Sequence, residues 1–395
     1  MLAQDQTQKT TPSERVWLSA DDCRLEDFVA SMASTTRPED YPLAQRIEKD
    51  VPVYDGRSIT ELSAAQRQAL QAEMAEALLD GPGIIVFSGA FDAHSIAKTT
   101  DCFNDMIAEQ REAGVAGGDH FAKPGANDRV WRVQQKLAER DPAAYVDYYA
   151  NPALELICEA WLGPMYQVTS DLNVVNPGGQ AQSAHRDYHL GFMSTEQAER
   201  FPAHVHRFAS QLTLQGAVAH CDMPLESGPT LYLPYSQRYE HGFLAASKPE
   251  FQRYFTEHHV QLPLAAGDAV FFNPALFHAA GTNHSADIRR MANLLQVSSA
   301  FGRAMGILDR ERMCRAIYSE LCQREQGGAH ATVVRAAKAT AEGYGFPTNL
   351  DRDQPTAGLA PETQCELLIR AVGEQLDAVS FESQLAAQLE RRQAS

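Results

Sequence analysis

The chain has 395 residues, 44% of them hydrophobic, enough for one large domain or two ordinary ones and too many for wholesale disorder. Lys and Arg total 34 against 51 Asp and Glu, a formal net charge of −17, which disfavours nucleic acid and anionic membranes as general partners. The seven cysteines are scattered and form no CxxC pair. No run approaches the ~20 apolar residues of a membrane span, and Met1–Gln6 lacks a basic, apolar leader. The expectation is a cytoplasmic protein with reduced thiols.

Residues 1–14 are polar and read as a flexible tail. Residues 15–58 give no clear element. Ser63 with Gln66 is a capping-box pattern, and the Ala, Leu, Gln and Glu content of 64–79 predicts a helix ended by Gly81-Pro82-Gly83. Ile84–Phe87 reads as a short buried strand. Residues 92–113 and 141–162 read as helical, the latter broken at Asn151-Pro152, and between them lies a glycine-rich, charged loop with His120 and Lys123. From 165 the texture becomes β-prone. Met165–Val175, Phe208–Ala219, Thr230–Leu233, Ala269–Asn273 and Ile288–Ser298 read as strands divided by Gly, Pro, Asn and Asp turns, with small helices over 194–201 and 249–259. After 302 the chain reads as helical over 308–325, 328–343 and 361–392. This pattern predicts an α+β fold: a jelly-roll core over 165–301, an N-terminal helical and mixed segment over 15–164 packed on it, and a helical C-terminal extension over 302–395. Cys314, Ile317 and Leu321, then Leu367, Leu368 and Val372, fall at helical spacings. The extension would cover a sheet face of its own chain or pair two subunits as a homo-oligomer.

The chemistry centres on Gln182–His189. If this stretch is extended, His185 and Asp187 face one side and Arg186 the other. One imidazole and one carboxylate side by side are two thirds of the facial triad that holds non-haem Fe(II). A later histidine must complete it, and His278 follows the turn Gly267-Asp268 and a strand. Competing histidines are present. His220-Cys221-Asp222 is a second His-x-Asp. His204-x-His206 has the spacing of a cupin site but no matching glutamate, and His258-His259 ends a predicted helix. His189 reads equally as pocket lining or as structure.

Five ordered elements are similar to the phytanoyl-CoA dioxygenase family of Fe(II)/2-oxoglutarate-dependent oxygenases, whose core is a double-stranded β-helix. They are His185-Arg186-Asp187, Ser227-Gly228-Pro229-Thr230, Gly267-Asp268, His278 with Gly281-x-Asn283-x-Ser285, and Arg289, eleven positions after that histidine. The resemblance covers about 160–300. It implies that His185, Asp187 and His278 bind Fe(II), that 2-oxoglutarate and O2 take the open positions, and that succinate and CO2 are released as a small-molecule or acyl substrate is hydroxylated. It also implies that Arg289 grips the distal carboxylate of 2-oxoglutarate. Strand alternation adds to this, because Arg289 shares its face with Met291, Asn293, Leu295 and Val297, the more apolar face. Where many relatives have a serine two residues after the distal histidine, this chain has Ala280; Thr282 or a strand hydroxyl is the candidate substitute, or the role goes unfilled. Related halogenases carry a small residue at the position of Asp187, so an aspartate argues for hydroxylation or a related oxidation. Tyr188, Phe192, Met193, Phe201, His204 and His206 mark 188–210 as a candidate lid. The alternative is a non-catalytic, cupin-like binding or sensor protein, against which the intact ligand set weighs.

Overall fold

The computed structural model describes residues 11–114, 126–355 and 358–394. Eleven strands appear among them: β1 (Arg46–Glu48), β2 (Val51–Asp55), β3 (Ile84–Ser88), β4 (Asn127–Val130), β5 (Gln167–Val175), β6 (Thr213–Ala219), β7 (Leu231–Leu233), β8 (Val260–Gln261), β9 (Ala269–Phe272), β10 (Phe277–Ala279) and β11 (Arg290–Ser298). Eight form one sheet in the order β1-β2-β3-β9-β6-β11-β5-β4, and three form a second in the order β10-β7-β8. Neighbours are antiparallel except β2 with β3. Two facing sheets with a crossed strand order are the α+β jelly roll that the sequence predicts.

Both faces of the large sheet are buried. One packs on the small sheet through Val86, Ala217, Val270 and Phe272 against Tyr232. The other is covered by helices. Leu172 and Val174 of β5, Val218 of β6, and Met291, Leu295 and Val297 of β11 share a core with Tyr145, Tyr148 and Ile157 from the helices Pro142–Tyr149 and Pro152–Leu162. The C-terminal helices Arg310–Gln326, His330–Thr340, Gln364–Gly373 and Ala378–Arg392 join the same core through Met313, Ile317, Leu321, Val333, Leu368 and Phe381. Arg310, buried, ties them to the sheet, donating to Thr340 O at 2.8 Å and Val168 O at 3.0 Å. The extension therefore covers its own chain's helical layer.

Several predicted boundaries shift. The helices over 64–79 and 92–113 appear at Ala64–Leu79 and Ala93–Glu112. Part of the expected tail is already ordered, since Thr11 caps a short helix at Pro12–Val16. The unassigned stretch 15–58 contains the hairpin β1–β2, whose turn places Lys49 and Asp50 at positive φ of 51° and 68° without glycine. Phe208–Gln211, expected as strand, instead ends the helix Ala203–Gln211. The last predicted helix is two, interrupted at Gln375 with φ of 53° and restarted by the Asp377 cap. His120 and Lys123 lie outside the described residues.

Candidate metal centre and cavity

His185 and His278 meet through the backbone. They form an isolated antiparallel bridge, with His185 N–H donating to His278 O at 3.0 Å and His278 N–H to His185 O at 3.2 Å. Residues paired in this way present their side chains together, and the two imidazole centroids are 4.5 Å apart. Asp187, two residues on, points to the same side, its own N–H donating to Pro274 O at 2.9 Å. One ligand atom from each of the three lies within 4.8 Å of the others. Arg186 turns away, as alternation requires, and its guanidinium is buried between Phe243 and Phe277.

Neighbouring groups set the ligand atoms. Nδ1 of His185 donates to Ser183 O and Nδ1 of His278 to Leu276 O, both at 2.9 Å. A carbonyl only accepts, so each Nδ1 carries the proton and each Nε2 keeps its lone pair for the site. Those Nε2 atoms lie 3.9 and 3.7 Å from the Asp187 oxygens. Gln215 Nε2 donates to Asp187 Oδ2. Burial alone would raise the Asp187 pKa, but the neighbouring His278 and His185 and the Gln215 amide outweigh it and bring it to about 2. Burial and then the neighbouring His278 lower the pKa of His185. Two nitrogens and an ionised carboxylate, all converging, suit a divalent cation with open coordination positions.

The three ligands line a cavity of about 340 Å³. Its wall includes Val86, Ala217, Val270 and Phe272 from the large sheet and Thr230 and Tyr232 from the small one. Arg290 also lines it. That guanidinium is 6% exposed and donates to Ser227 O at 3.3 Å and Gly281 O at 3.4 Å; among the described residues it has no carboxylate partner. Burial lowers its pKa to about 10, so it stays charged at neutral pH.

The expectation for Arg289 is not met. Its side chain points outward, 42% exposed, and pairs with Asp128 at 3.3 Å. The cavity face of β11 is Arg290, Ala292, Leu294 and Gln296. The more apolar face, Met291, Leu295 and Val297, packs under the helical layer. Thr282 is also outside the cavity lining, and its hydroxyl accepts the Ala181 N–H at 2.9 Å. Ala280 and Gln182 line the cavity there, joined by the Ala280 N–H to Gln182 Oε1 at 3.2 Å.

The other motif residues brace the site. Gly228, at φ of 70°, lies so close to the next loop that a Cβ there would meet Thr282 O at 2.2 Å. Asn283, fully buried, donates to Val175 O and Ile288 O and accepts from Ser285. The Gly-Pro-Thr turn and the Gly/Asn/Ser loop thus close on each other around Arg290. The competing histidines are engaged elsewhere. His220 is buried between the Thr100 and Tyr148 hydroxyls, both at 2.8 Å, and burial pushes its pKa down to about 3. His206 is buried against Phe243, and His258 and His259 bond the carbonyls four residues back at 2.9 and 3.0 Å. His189 bonds Thr213 at 2.9 Å outside the cavity lining. Of the candidate lid, Tyr188 and Phe192 line the cavity, while Phe201 sits behind Tyr188. Gln215, Arg129, Trp131, Asp171 and Asn173 line it without having been expected. For Gln215 the signal is present, a lone polar residue in Leu214–Val218.

A family model for Phytanoyl-CoA dioxygenase (PhyH) matches residues 79–291, just over half of the chain. No curated protein matches the sequence. Solved structures with a similar fold include the epimerase SnoN in complex with Fe3+, alpha ketoglutarate and nogalamycin RO, 18% identical over 59% of this chain and 85% of that one, with a TM-score of 0.40. They also include the non-heme alpha ketoglutarate dependent carbocyclase SnoK from nogalamycin biosynthesis, 20% identical over 61% and 86%, TM-score 0.44. AviO1 from Streptomyces viridochromogenes Tue57 is 16% identical over 62% and 100%, TM-score 0.43. With the family match spanning the metal triad and the strands that carry it, the chain belongs to the phytanoyl-CoA dioxygenase family of iron- and 2-oxoglutarate-dependent oxygenases.

Proposed function

We propose that the protein hydroxylates an unactivated carbon of a small-molecule or acyl substrate, consuming 2-oxoglutarate and dioxygen and releasing succinate and carbon dioxide. His185, Asp187 and His278 hold the iron(II), and Arg290 holds the distal carboxylate of 2-oxoglutarate. The observation that carries this reading is a pairing within one cavity: three convergent donors in its wall, and a buried guanidinium with no carboxylate partner among the described residues. A buried unpaired charge is costly, and a dicarboxylate that reaches both features removes that cost.

When bound, iron(II) with its cosubstrate supplies the oxidising power that no side chain here possesses. The chain's own residues bind, orient and exclude water. The Nδ1 bonds to Ser183 and Leu276 hold both imidazoles in the ligating tautomer, and Gln215 fixes the Asp187 carboxylate. Val86, Ala217, Val270 and Phe272 form a dry wall beside them, where the charged bond to Arg290 is strongest. Asp187 occupies the position that halogenases leave open, which favours oxygen transfer.

The experiment is an anaerobic titration of metal-free protein with Fe(II) and then 2-oxoglutarate, following the visible charge-transfer band and iron stoichiometry. One iron per chain is expected, lost in His185→Ala, Asp187→Ala and His278→Ala and kept in His220→Ala. Iron lost from the His220 variant and retained by the other three would reverse the assignment.

A further inference from the structure

The cavity wall has two chemistries, divided by strand register. On the inner face of the large sheet, Asp171 of β5 stands beside Leu294 of β11, which stands beside Ala217 of β6; Val270 of β9 and Val86 of β3 continue the row. That row is apolar from β11 to β3. Towards β4 the face changes: Asn173 lies between Ala292 and Arg129, and Gln296 lies beside Gln215. Arg129, Asp171, Asn173, Gln215 and Gln296 all line the cavity. A face serving only as core would not gather five polar side chains.

Most of this patch accepts hydrogen bonds. Gln215 is 5% exposed and its NH2 is committed to Asp187, which fixes its orientation; its Oε1 is buried with no donor among the described residues. The same holds for the buried Asn173 Oδ1. Asp171 receives the Arg132 N–H on Oδ1 at 2.7 Å. Burial raises its pKa, and that N–H and the charges of Arg129, Lys136 and Arg132 offset only part of the rise. Arg129, which shares the cavity wall with Asp171, disfavours an ammonium group, so the donors that fit are neutral ones such as hydroxyls. Trp131 lines the cavity 43% exposed, with the Arg129 guanidinium 4.5 Å from its ring centre, and Phe192 lines it 60% exposed. Aromatic faces pack on the C–H face of a saturated ring while nearby acceptors take its hydroxyls. The cavity of about 340 Å³ is at the lower end of ligand sites, which run ~300–1,000 Å³, and it also holds the cosubstrate. A single ring or short polyol fits beside the metal ligands.

We propose that the substrate presents a hydroxylated unit, a sugar, cyclitol or polyol portion, to the Asp171–Asn173–Gln215 wall, with Trp131 stacked on it and Asp171 setting the specificity. This rests on the metal and cosubstrate reading above.

The test uses the full chain loaded anaerobically with Fe(II) and 2-oxoglutarate. The probes are methyl β-glucopyranoside and myo-inositol, with hexanoyl-CoA and hexylamine as contrasts. The hydroxylated probes should perturb the visible band and quench tryptophan fluorescence, with the quenching lost in Trp131→Phe, and the contrasts should do neither. Asp171→Ala should weaken the probe response tenfold or more and leave the 2-oxoglutarate titration within twofold, because a site built to bind hydroxyls discriminates strongly. If Asp171→Ala also disturbs 2-oxoglutarate binding, Trp131→Ala carries the test: tenfold loss of probe response alone supports the proposal, and no loss overturns it. A normal band that responds to hexanoyl-CoA or hexylamine, or to neither hydroxylated probe, overturns it too. A band that never forms is a distinct failure, since it removes the underlying reading and this inference with it.

Discussion

Arg289 and Arg290 are chemically identical neighbours whose side chains face opposite ways. Arg290 is enclosed with backbone carbonyls; Arg289, on the outer side of the sheet, pairs with the buried Asp128. Removing one partner of a buried, hydrogen-bonded charge pair costs about 2–5 kcal/mol, or roughly 30- to 4,000-fold in affinity at ~1.4 kcal/mol per decade. Arg290→Ala should therefore raise the 2-oxoglutarate KM by that order while one iron still binds. Arg290→Lys should recover only part, because an ammonium cannot make two parallel bonds to a carboxylate. Arg289→Ala removes a pair outside the cavity and leaves Asp128 its bond from Arg111 at 2.8 Å, so its KM should barely move. Steady-state kinetics on the three variants checks this, and a large KM effect confined to Arg289→Ala would return the role to that residue.

At the scale of a strand, packing on both faces of the sheet turns Arg289 outward and Arg290 into the cavity. Alternation on β11 was readable, but the inference that the more apolar face looks into the jelly roll was not sound. The helices on the outside of the sheet demand Met291, Leu295 and Val297, while the cavity tolerates Ala292, Leu294 and Gln296. The metal triad was legible because its spacing survives without knowledge of packing. Trp131 and Asp171 were not, since Trp131 directly follows β4, which pairs with β5, and Asp171 is placed by the register of β5 on β11. The same distinction bears on the loop after Asp187. Phe192 is exposed at the mouth, whereas Phe201 packs on Tyr188. Phe192→Ala should lower substrate turnover with Tm unchanged, and Phe201→Ala should lower Tm first. Thermal melts beside turnover assays separate the two, and a Tm loss in the Phe192 variant would make it a packing residue.

Taken whole, the chain has no dispensable tail after the jelly roll. Met313, Ile317, Leu321, Leu368 and Phe381 are fully buried in the core that also holds Leu172 and Val297. At about 1.5–3 kcal/mol per buried side chain, these five alone rival the ~5–15 kcal/mol by which a protein of this kind is stable. Truncation at 301 should therefore give aggregated or unfolded protein on expression and gel filtration. A soluble, active 1–301 fragment would contradict the packing described above.

The backbone bridge between His185 and His278 couples the metal to the architecture. In the reading proposed above, each of these residues supplies both a ligand and one half of a main-chain seam, so metal binding should favour the closed seam. A ligand bound only by the folded state adds about 2.7 kcal/mol at a hundredfold excess over its Kd. Hydrogen–deuterium exchange at His185 and His278 should slow on anaerobic iron loading, while amides midway along β5 and β11 keep their protection. Equal exchange at the seam with and without metal would show that it is locked by packing alone. If the slowing is seen, metal loss in this protein opens the barrel first along one defined line, from the ligands outward.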